Sequence, residues 1–237
     1  MDANDHSETT RTTRRGSLLS LGGLLASGLG WKVAGADEAD AAGVGPAAVA
    51  AGLVTCILTP EQTEGPYYIA NSRLRRDIRD GHKGIRPDLR TTVVDASTCK
   101  PVRNALVEIW HCDAAGLYSG FGGGASSRTF LRGGQRTDAN GLARFTTIYP
   151  GWYQGRTVHI HVKVHIGGSV VHTGQLYFND AVTDTVYRKA PYRSRGVRTT
   201  RNADDSIFRN GGSRSQVRLA KAADGSYVAT IAMGVTR

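Results

Sequence analysis

One stretch of the chain decides the fold: it reads YPGWYQGRTVHIHVKV and spans residues 149–164. Within it, Ile160 and Val162 alternate with His159 and His161. A period of two is typical of a β-strand with one face in the core. Because residues i and i+2 of a strand point to the same face, the two imidazoles are predicted to project side by side, roughly 6 to 7 Å apart at Cα. Two neutral imidazoles on one strand form half of a metal site.

The rest of the chain past residue 52 reads as short strands separated by turns. The turn signals include Asp138-Ala-Asn-Gly141 and Gly167-Gly168. No long amphipathic helix and no internal repeat is evident in this part. Regularly spaced strands with glycine turns are typical of an all-β sandwich or barrel. We predict strands over residues 89–96, 105–111, 142–148, 158–166, 169–178, 216–221 and 227–232.

The N-terminus carries the pattern of an export signal. Arg14 and Arg15 precede an apolar, glycine-rich segment at residues 18–30, and Ala34-Gly35-Ala36 offers a cleavage site. Paired arginines in this position indicate a twin-arginine type signal, with an ordinary secretory signal as the alternative. We therefore interpret residues 1–36 as a signal peptide and expect an exported protein, periplasmic or extracellular.

The remaining chain divides into a linker and one domain. Residues 37–52 are rich in Ala and Gly and read as a flexible linker. Residues 53–237 are enough for a single domain with its own core. No segment after the leader approaches the length of apolar sequence that spans a membrane, so no stable membrane span is expected.

The chain is basic, with a formal net charge of +10. Removing residues 1–36 takes away four basic and three acidic residues, which leaves +9. Much of this charge lies in residues 73–79 and 188–201. Neither run has the interleaved aromatic residues of a nucleic-acid motif, so we expect no nucleic-acid partner. A solvated face is favoured, and attraction of anionic substrates or acidic polymers comes second.

Three cysteines follow the leader: Cys56, Cys99 and Cys112. An exported protein with three cysteines is expected to form one disulfide and keep one thiol. The sequence allows three pairings. We favour Cys56 with Cys99, because Cys99 lies in a turn-like Thr-Cys-Lys-Pro and Cys112 follows a strand. The spacings match no structural zinc site.

Six motifs occur in a fixed order between about residues 56 and 180. This ordered set resembles the intradiol ring-cleavage dioxygenases, which cleave protocatechuate and catechol, and more closely their secreted single-domain relatives. The motifs are EGPYY at 64–68, EIWHCDAAGLY at 108–118, FLRGGQRTD at 130–138, FTTIYPGWY at 145–153, RTVHIH at 156–161 and QLYF at 175–178.

The resemblance implies an antiparallel β-sandwich with a non-haem ferric centre, Fe(3+), at one end. Phenolate oxygens are hard anions that favour Fe(III), and imidazoles complete such a site. The reaction implied is cleavage of a catechol by O2 between its two hydroxylated carbons, giving a muconate-type diacid. Arg156 and Gln175 match the family's catalytic arginine and glutamine, and Tyr153 is implied as a labile ligand that takes a substrate proton. The implied metal ligands are Tyr118, Tyr153, His159 and His161.

Several residues around this constellation keep more than one interpretation. Tyr67 and Tyr68 are predicted to wall the substrate pocket, and residues 120–127 form a glycine-rich loop that we read as a mobile lid. Tyr149 lies directly before Pro150-Gly151, whereas Tyr153 follows them, and Tyr149 competes with Tyr153 for the role of second phenol. The other histidines of this region are read as ordinary histidines on a polar face: His111, His165 and His172.

Two departures from the family pattern bear on mechanism and assembly. Only five residues separate Tyr153 from His159, fewer than in the better-known members, which affects how far Tyr153 can swing. The long N-terminal helical segment through which catechol-type members dimerise has no counterpart, so any homo-oligomer must use another surface.

Three functions remain open from the sequence. An exported dioxygenase is favoured. A protein that binds catechols or ferric catecholates without turnover needs the same iron centre, whereas a structural envelope module needs no iron. The sequence does not choose among catechol, protocatechuate, hydroxyquinol or a plant-derived catechol, although the basic surface favours an anionic ring substituent.

Overall fold

The part of the chain that carries the motifs folds into strands joined by turns and short helices. The structure, a computed structural model, describes residues 56–70, 72–223 and 226–237. The predicted signal peptide at 1–36 and the predicted linker at 37–52 lie outside the described residues. In chain order the strands are β1 (Pro87–Asp95), β2 (Leu106–Trp110), β3 (Arg132–Arg136), β4 (Leu142–Thr146), β5 (His159–Ile166), β6 (Ser169–Tyr177), β7 (Arg218–Lys221) and β8 (Tyr227–Val235).

Two short α-helices lie between β6 and β7. Helix α1 (Asp180–Tyr187) begins at Asn179, whose side chain accepts a hydrogen bond from the Ala181 N–H. Helix α2 (Ser206–Arg209) begins at Asp205, whose side chain accepts from the Ile207 and Phe208 N–H groups. Both residues are preferred helix caps because a short polar side chain satisfies the free N–H groups of a first turn. Three 3-10 turns accompany them at Tyr192–Arg195, Asn202–Asp204 and Gly212–Ser215.

The strands form two four-stranded sheets. The first has the order β4-β1-β8-β7 and the second the order β3-β2-β5-β6. All pairs are antiparallel except β1 with β8, which run parallel from Pro87 opposite Tyr227 to Asp95 opposite Val235. The predicted antiparallel sandwich is therefore confirmed as a two-sheet all-β fold, with one parallel pair that the sequence pattern does not reveal.

One hydrophobic core joins the two sheets. From the first sheet it takes residues such as Leu89 and Phe145, and from the second Ile109, Ile160 and Val162. The alternation that opened the sequence analysis is therefore confirmed, because the apolar set of β5 faces this core. The opposite face of β5 carries His159 and His161, and both are buried as well.

Strand β3 was not predicted from the sequence. Its residues read RGGQR, with no apolar alternation, yet it pairs with β2 along its whole length. A Cβ at Gly133 would lie 2.6 Å from Ile78, and one at Gly134 would lie 3.0 Å from Leu106. Close packing therefore favours glycine at both positions, most strongly at Gly133, and pairing to β2 overrides the low strand propensity of the sequence.

A disulfide closes the N-terminal part of the described chain onto the turn after β1. It joins Cys56 to Cys99, as favoured from the sequence, and Cys112 is a buried free thiol. Across residues 56–70, 72–223 and 226–237, every helix falls short of the length and apolar character needed to cross a bilayer.

Candidate metal centre

The first two of the three histidines of β5, His159 and His161, direct ring nitrogens at each other. The Nε2 atoms of His159 and His161 lie 3.1 Å apart. His159 Nδ1 lies 2.7 Å from the Thr157 carbonyl oxygen, and a carbonyl only accepts, so Nδ1 carries the proton. Nε2 of His159 is then an unprotonated lone-pair donor. Fixing the tautomer through the second ring nitrogen is the usual way in which proteins prepare a histidine for a metal ion.

Two phenols complete the group. Tyr118 lies in the loop after β2, and Tyr153 lies in the loop before β5, where it bridges to Arg156 across a tight turn. The Tyr153 hydroxyl is 3.1 Å and the Tyr118 hydroxyl 3.5 Å from His159 Nε2. Four polar atoms from three separate segments thus converge on one point: Tyr118 Oη, Tyr153 Oη, His159 Nε2 and His161 Nε2.

This donor set fits one metal ion. Ligand atoms at about 2.1 Å from a shared ion, with bonds near 90 to 110°, lie roughly 3.0 to 3.5 Å apart, as the distances to His159 Nε2 do. Within the described ranges no cluster of three or more His, Cys, Asp or Glu side chains could hold a metal. Phenol oxygens are therefore needed to complete the set, and a set with two of them suits ferric iron.

Burial sets the protonation of these groups in the absence of a cation. Burial, reinforced by the Arg156 charge, lowers the pKa of His159 to about 3. The pKa of His161 is also well below its ordinary value, through burial and then His159. Burial raises the pKa of Tyr153 to about 12 and that of Tyr118 well above its ordinary value. The imidazoles are thus neutral and ready to bind, whereas the phenols need a strongly charged cation to displace their protons.

Arg156 and Gln175 lie together beside the histidines. Arg156 Nη2 donates to Gln175 Oε1 at 2.5 Å, and Gln175 lies directly opposite His161 in the β5–β6 ladder. Gln175 Nε2 in turn donates to the Thr63 carbonyl oxygen at 3.0 Å. The motifs RTVHIH and QLYF, which are 19 residues apart from Arg156 to Gln175, therefore meet at one edge of the four-donor group.

Tyr67 and Tyr68 are neighbours in sequence but contact different aromatic side chains. The Tyr67 ring stacks on Tyr118 with centroids 4.2 Å apart and planes within 12°, and it meets Tyr153 edge-on at 6.3 Å. The Tyr68 ring instead tilts against Trp110, and its hydroxyl donates to Glu108 Oε2 at 3.2 Å. Tyr68 thereby lines a separate cavity of about 660 Å³, and only Tyr67 borders the phenols directly.

The competing phenol and the other histidines lie elsewhere. The Tyr149 hydroxyl is 2.7 Å from Thr183 Oγ1, and the ring is fully buried among other aromatics of the core. His165 Nε2 contacts Glu108 Oε2 at 2.6 Å. The interpretation of His111 and His172 as polar-face residues is wrong, because both side chains are buried. His111 is held by the Cys112 carbonyl and the Thr147 hydroxyl.

Two contributors escaped the sequence analysis. Asp205 Oδ2 accepts from Arg156 Nε at 2.9 Å. It lies 49 residues after Arg156 in a segment with no family motif, where the only signal is that of a helix cap. Trp110 lies flat against the His161 ring, with centroids 4.9 Å apart and planes within 4°. Trp110 belongs to the motif at 108–118, but nothing in that motif indicates that its ring contacts a histidine.

Comparison with known proteins agrees with this arrangement. Residues 63–208 match the model of a protein family described as Dioxygenase. The structure superposes on an intradiol ring-cleavage dioxygenase from Tetranychus urticae with a TM-score of 0.73 and 35% identity, over 76% of this chain and 95% of the other. The chain belongs to the intradiol ring-cleavage dioxygenase family.

Other members of the family are similar over shorter stretches. A catechol 1,2-dioxygenase of Acinetobacter lwoffii is 37% identical over 150 residues, which is 57% of this chain and 49% of the relative. A chlorocatechol 1,2-dioxygenase of Cupriavidus pinatubonensis is 30% identical over 146 residues, 51% of this chain and 56% of the relative. The chain thus spans about a third to just over half of the length of such curated relatives.

Proposed function

We propose that this protein is an exported non-haem Fe(III) dioxygenase that cleaves a catechol between its two hydroxylated carbons with O2, giving a muconate-type diacid. The convergence of Tyr118, Tyr153, His159 and His161 on one point carries this proposal. Arg156 and Gln175 at the edge of that point support it, as do the names of the relatives, which are dioxygenases of catechol, chlorocatechol, hydroxyquinol and protocatechuate.

The four donor residues would hold the iron, and their surroundings prepare them for it. Ferric iron, when bound, supplies the Lewis acidity that lowers the pKa of a catechol hydroxyl. Burial keeps both imidazoles neutral, so no proton has to leave them. The same burial disfavours free phenolates at Tyr118 and Tyr153, which makes phenolate formation dependent on the cation.

The chain's own residues then have separable roles. Tyr153 is the more exposed of the two phenols, and its Oη is the atom that would take a proton from the catechol. The Arg156 guanidinium would stabilise anionic charge that develops near the ring, work that is worth about 3 to 4 kcal/mol for one well-placed donor. Gln175 would hold Arg156 through its Oε1, and Tyr67 would wall the site beside Tyr118.

Two features support export. Arg14 and Arg15 before an apolar segment give the twin-arginine type signal at residues 1–36. The Cys56–Cys99 disulfide supports an oxidising compartment, since disulfides rarely persist in a bacterial cytoplasm. A fusion to a reporter that is active only outside the cytoplasm tests this, with Arg14→Lys/Arg15→Lys expected to abolish export.

A visible spectrum of the ferric-loaded protein tests the proposed activity. The protein is recorded alone, then without air in the presence of catechol, and then after air is admitted. We expect a tyrosinate-to-iron band that shifts with catechol and returns in air as a muconate-type product accumulates. A shift that persists in air would instead favour a catechol-binding protein. A colourless protein would overturn the iron site and favour a structural module.

A further inference from the structure

Asp205 connects helix α2 to the arginine of the site. Its Oδ2 accepts from Arg156 Nε at 2.9 Å and from the Thr157 N–H at 2.9 Å. Its Oδ1 accepts from the Ile207 N–H at 2.8 Å and the Phe208 N–H at 3.2 Å. One carboxylate thus caps α2 and also holds the residues just before β5. Its side chain is 1% exposed.

The guanidinium of Arg156 is anchored at two of its nitrogens. Nε donates to Asp205, and Nη2 donates to Gln175 Oε1 at 2.5 Å. Because a guanidinium is planar, two directed hydrogen bonds fix the plane of the group as well as its place. The Arg156 side chain remains 18% exposed, so part of the fixed group stays uncovered by the protein.

The charge on Asp205 is matched to this task. Burial opposes its ionisation, but the Thr157 N–H and the charge and hydrogen bond of Arg156 outweigh burial and hold the Asp205 pKa below its ordinary value. Asp205 is therefore ionised at neutral pH. A buried, ionised carboxylate accepts charge-assisted hydrogen bonds from these partners. A neutral residue of the same shape would form weaker bonds.

We propose that Asp205 is a positioning residue for ring cleavage, which holds the Arg156 guanidinium in the orientation that turnover requires. This inference rests on the proposed function. It assigns a catalytic purpose to the segment of residues 202–209, which carries none of the six motifs. Asp205 does not need to touch the substrate, since it acts through Arg156.

The test compares Asp205→Asn with Asp204→Asn in the ferric-loaded protein. Asp204 is the exposed neighbour and accepts only locally, from the Arg201 N–H at 3.1 Å. We expect Asp205→Asn to lower kcat for catechol about tenfold or more, since small misplacements of a catalytic group cost up to about 100-fold. Iron content and the anaerobic Kd for catechol should stay within about twofold of wild type. Asp204→Asn should match wild type in all three.

A double variant separates positioning from general damage. If Asp205 acts through Arg156, then Asp205→Asn should lower kcat no more than about twofold in an Arg156→Gln background. An equal loss in both backgrounds, or a loss of iron and catechol binding together, would show a merely structural role. Wild-type kcat in Asp205→Asn would also overturn the inference.

Further variants keep the test decisive if Asp205→Asn does not fold. Asp205→Ser also retains an acceptor that can cap α2 and should show the same loss of kcat. Arg156→Lys reaches Asp205 or Gln175 but not both, and should lose kcat as Arg156→Gln does. Full activity of Arg156→Lys would show that no fixed guanidinium is needed. Failure of the wild type to cleave any catechol would overturn the proposed function and this inference together.

Discussion

At the scale of single residues, the two histidines differ in what holds them. His159 is fixed by a hydrogen bond from Nδ1 to the Thr157 carbonyl. His161 Nδ1 has no hydrogen-bond partner within the described part of the chain, and its ring is held by stacking on Trp110. The Nε2 atom of His159 is therefore oriented for a metal ion by a hydrogen bond, whereas that of His161 is oriented by the stacking of its ring on Trp110.

Replacing His161 tests the donor set, with the third histidine of the same strand, His165, as the comparison. His161→Ala removes one of two imidazoles, and we expect ferric affinity to fall by more than the roughly 10- to 100-fold typical of losing a supporting partner. The matched control is His165→Gln, since His165 lies on the same face but pairs with Glu108. Iron titration followed by the tyrosinate band measures both. Retention of the band in His161→Ala would rule out this ligand.

Gly65 packs against the ring of His161, where a side chain would have little room. Its φ is +72°, and a Cβ there would lie 3.2 Å from His161 Cε1. Gly65→Ala should cost on the order of 1 kcal/mol in backbone strain and displace the His161 ring, so we expect about tenfold weaker ferric binding. Gly81→Ala is the control, because Gly81 has φ +82° and nothing within 4 Å. It should lose similar stability in thermal unfolding and keep iron affinity; equal affinities in both variants would contradict the contact argument.

At the scale of elements, the sequence predicted those parts whose signal is local. The β5 strand, its histidines and the following hairpin follow from a period of two and a Gly-Gly turn. Strand β3 was missed because RGGQR has no apolar period and forms only against β2. The parallel β1–β8 pair joins segments about 140 residues apart, and Asp205 reaches Arg156 across 49 residues. Such pairings depend on the assembled fold, which no local pattern encodes.

The Cys56–Cys99 disulfide is an element-scale constraint with a sizeable expected effect. It closes a loop with a sequence separation of 43 residues, for which the chain-entropy argument gives about 4 kcal/mol of stabilisation. The Cys56→Ser/Cys99→Ser variant should lose about 2 to 4 kcal/mol of unfolding free energy in urea. Adding reductant to this variant serves as the control and should change nothing further. A loss below about 1 kcal/mol would show that neighbouring contacts, such as the Thr59 N–H bond to the Gly234 carbonyl, already hold this segment.

At the scale of the whole molecule, buried histidines tie stability to pH. Burial lowers the pKa of His111 and of His172 to about 4, against about 6.5 in an unfolded chain. The unfolded state therefore binds more protons between these values, and stability rises with pH. The stabilisation is complete above about pH 6.5 and is lost as the pH falls towards 4. The pKa of Asp77, held at about 2 by its hydrogen bond from Arg79, affects stability only below about pH 4.

This dependence predicts the acid sensitivity of the fold. Between pH 7.5 and pH 5, each of the two histidines should remove about 2 kcal/mol of unfolding free energy. Urea unfolding across this range should show the loss of unfolding free energy. The glutamine of His172→Gln cannot take up a proton, so this variant should lose about 2 kcal/mol less than wild type. The difference between the two curves isolates His172 from the other buried histidines, including His159 and His161, whose pKa values burial also lowers. Parallel curves for the two proteins would show that His172 is protonated in the folded state without penalty, and that its Nε2, buried with no hydrogen-bond partner in the described ranges, finds a compensating acceptor in acid.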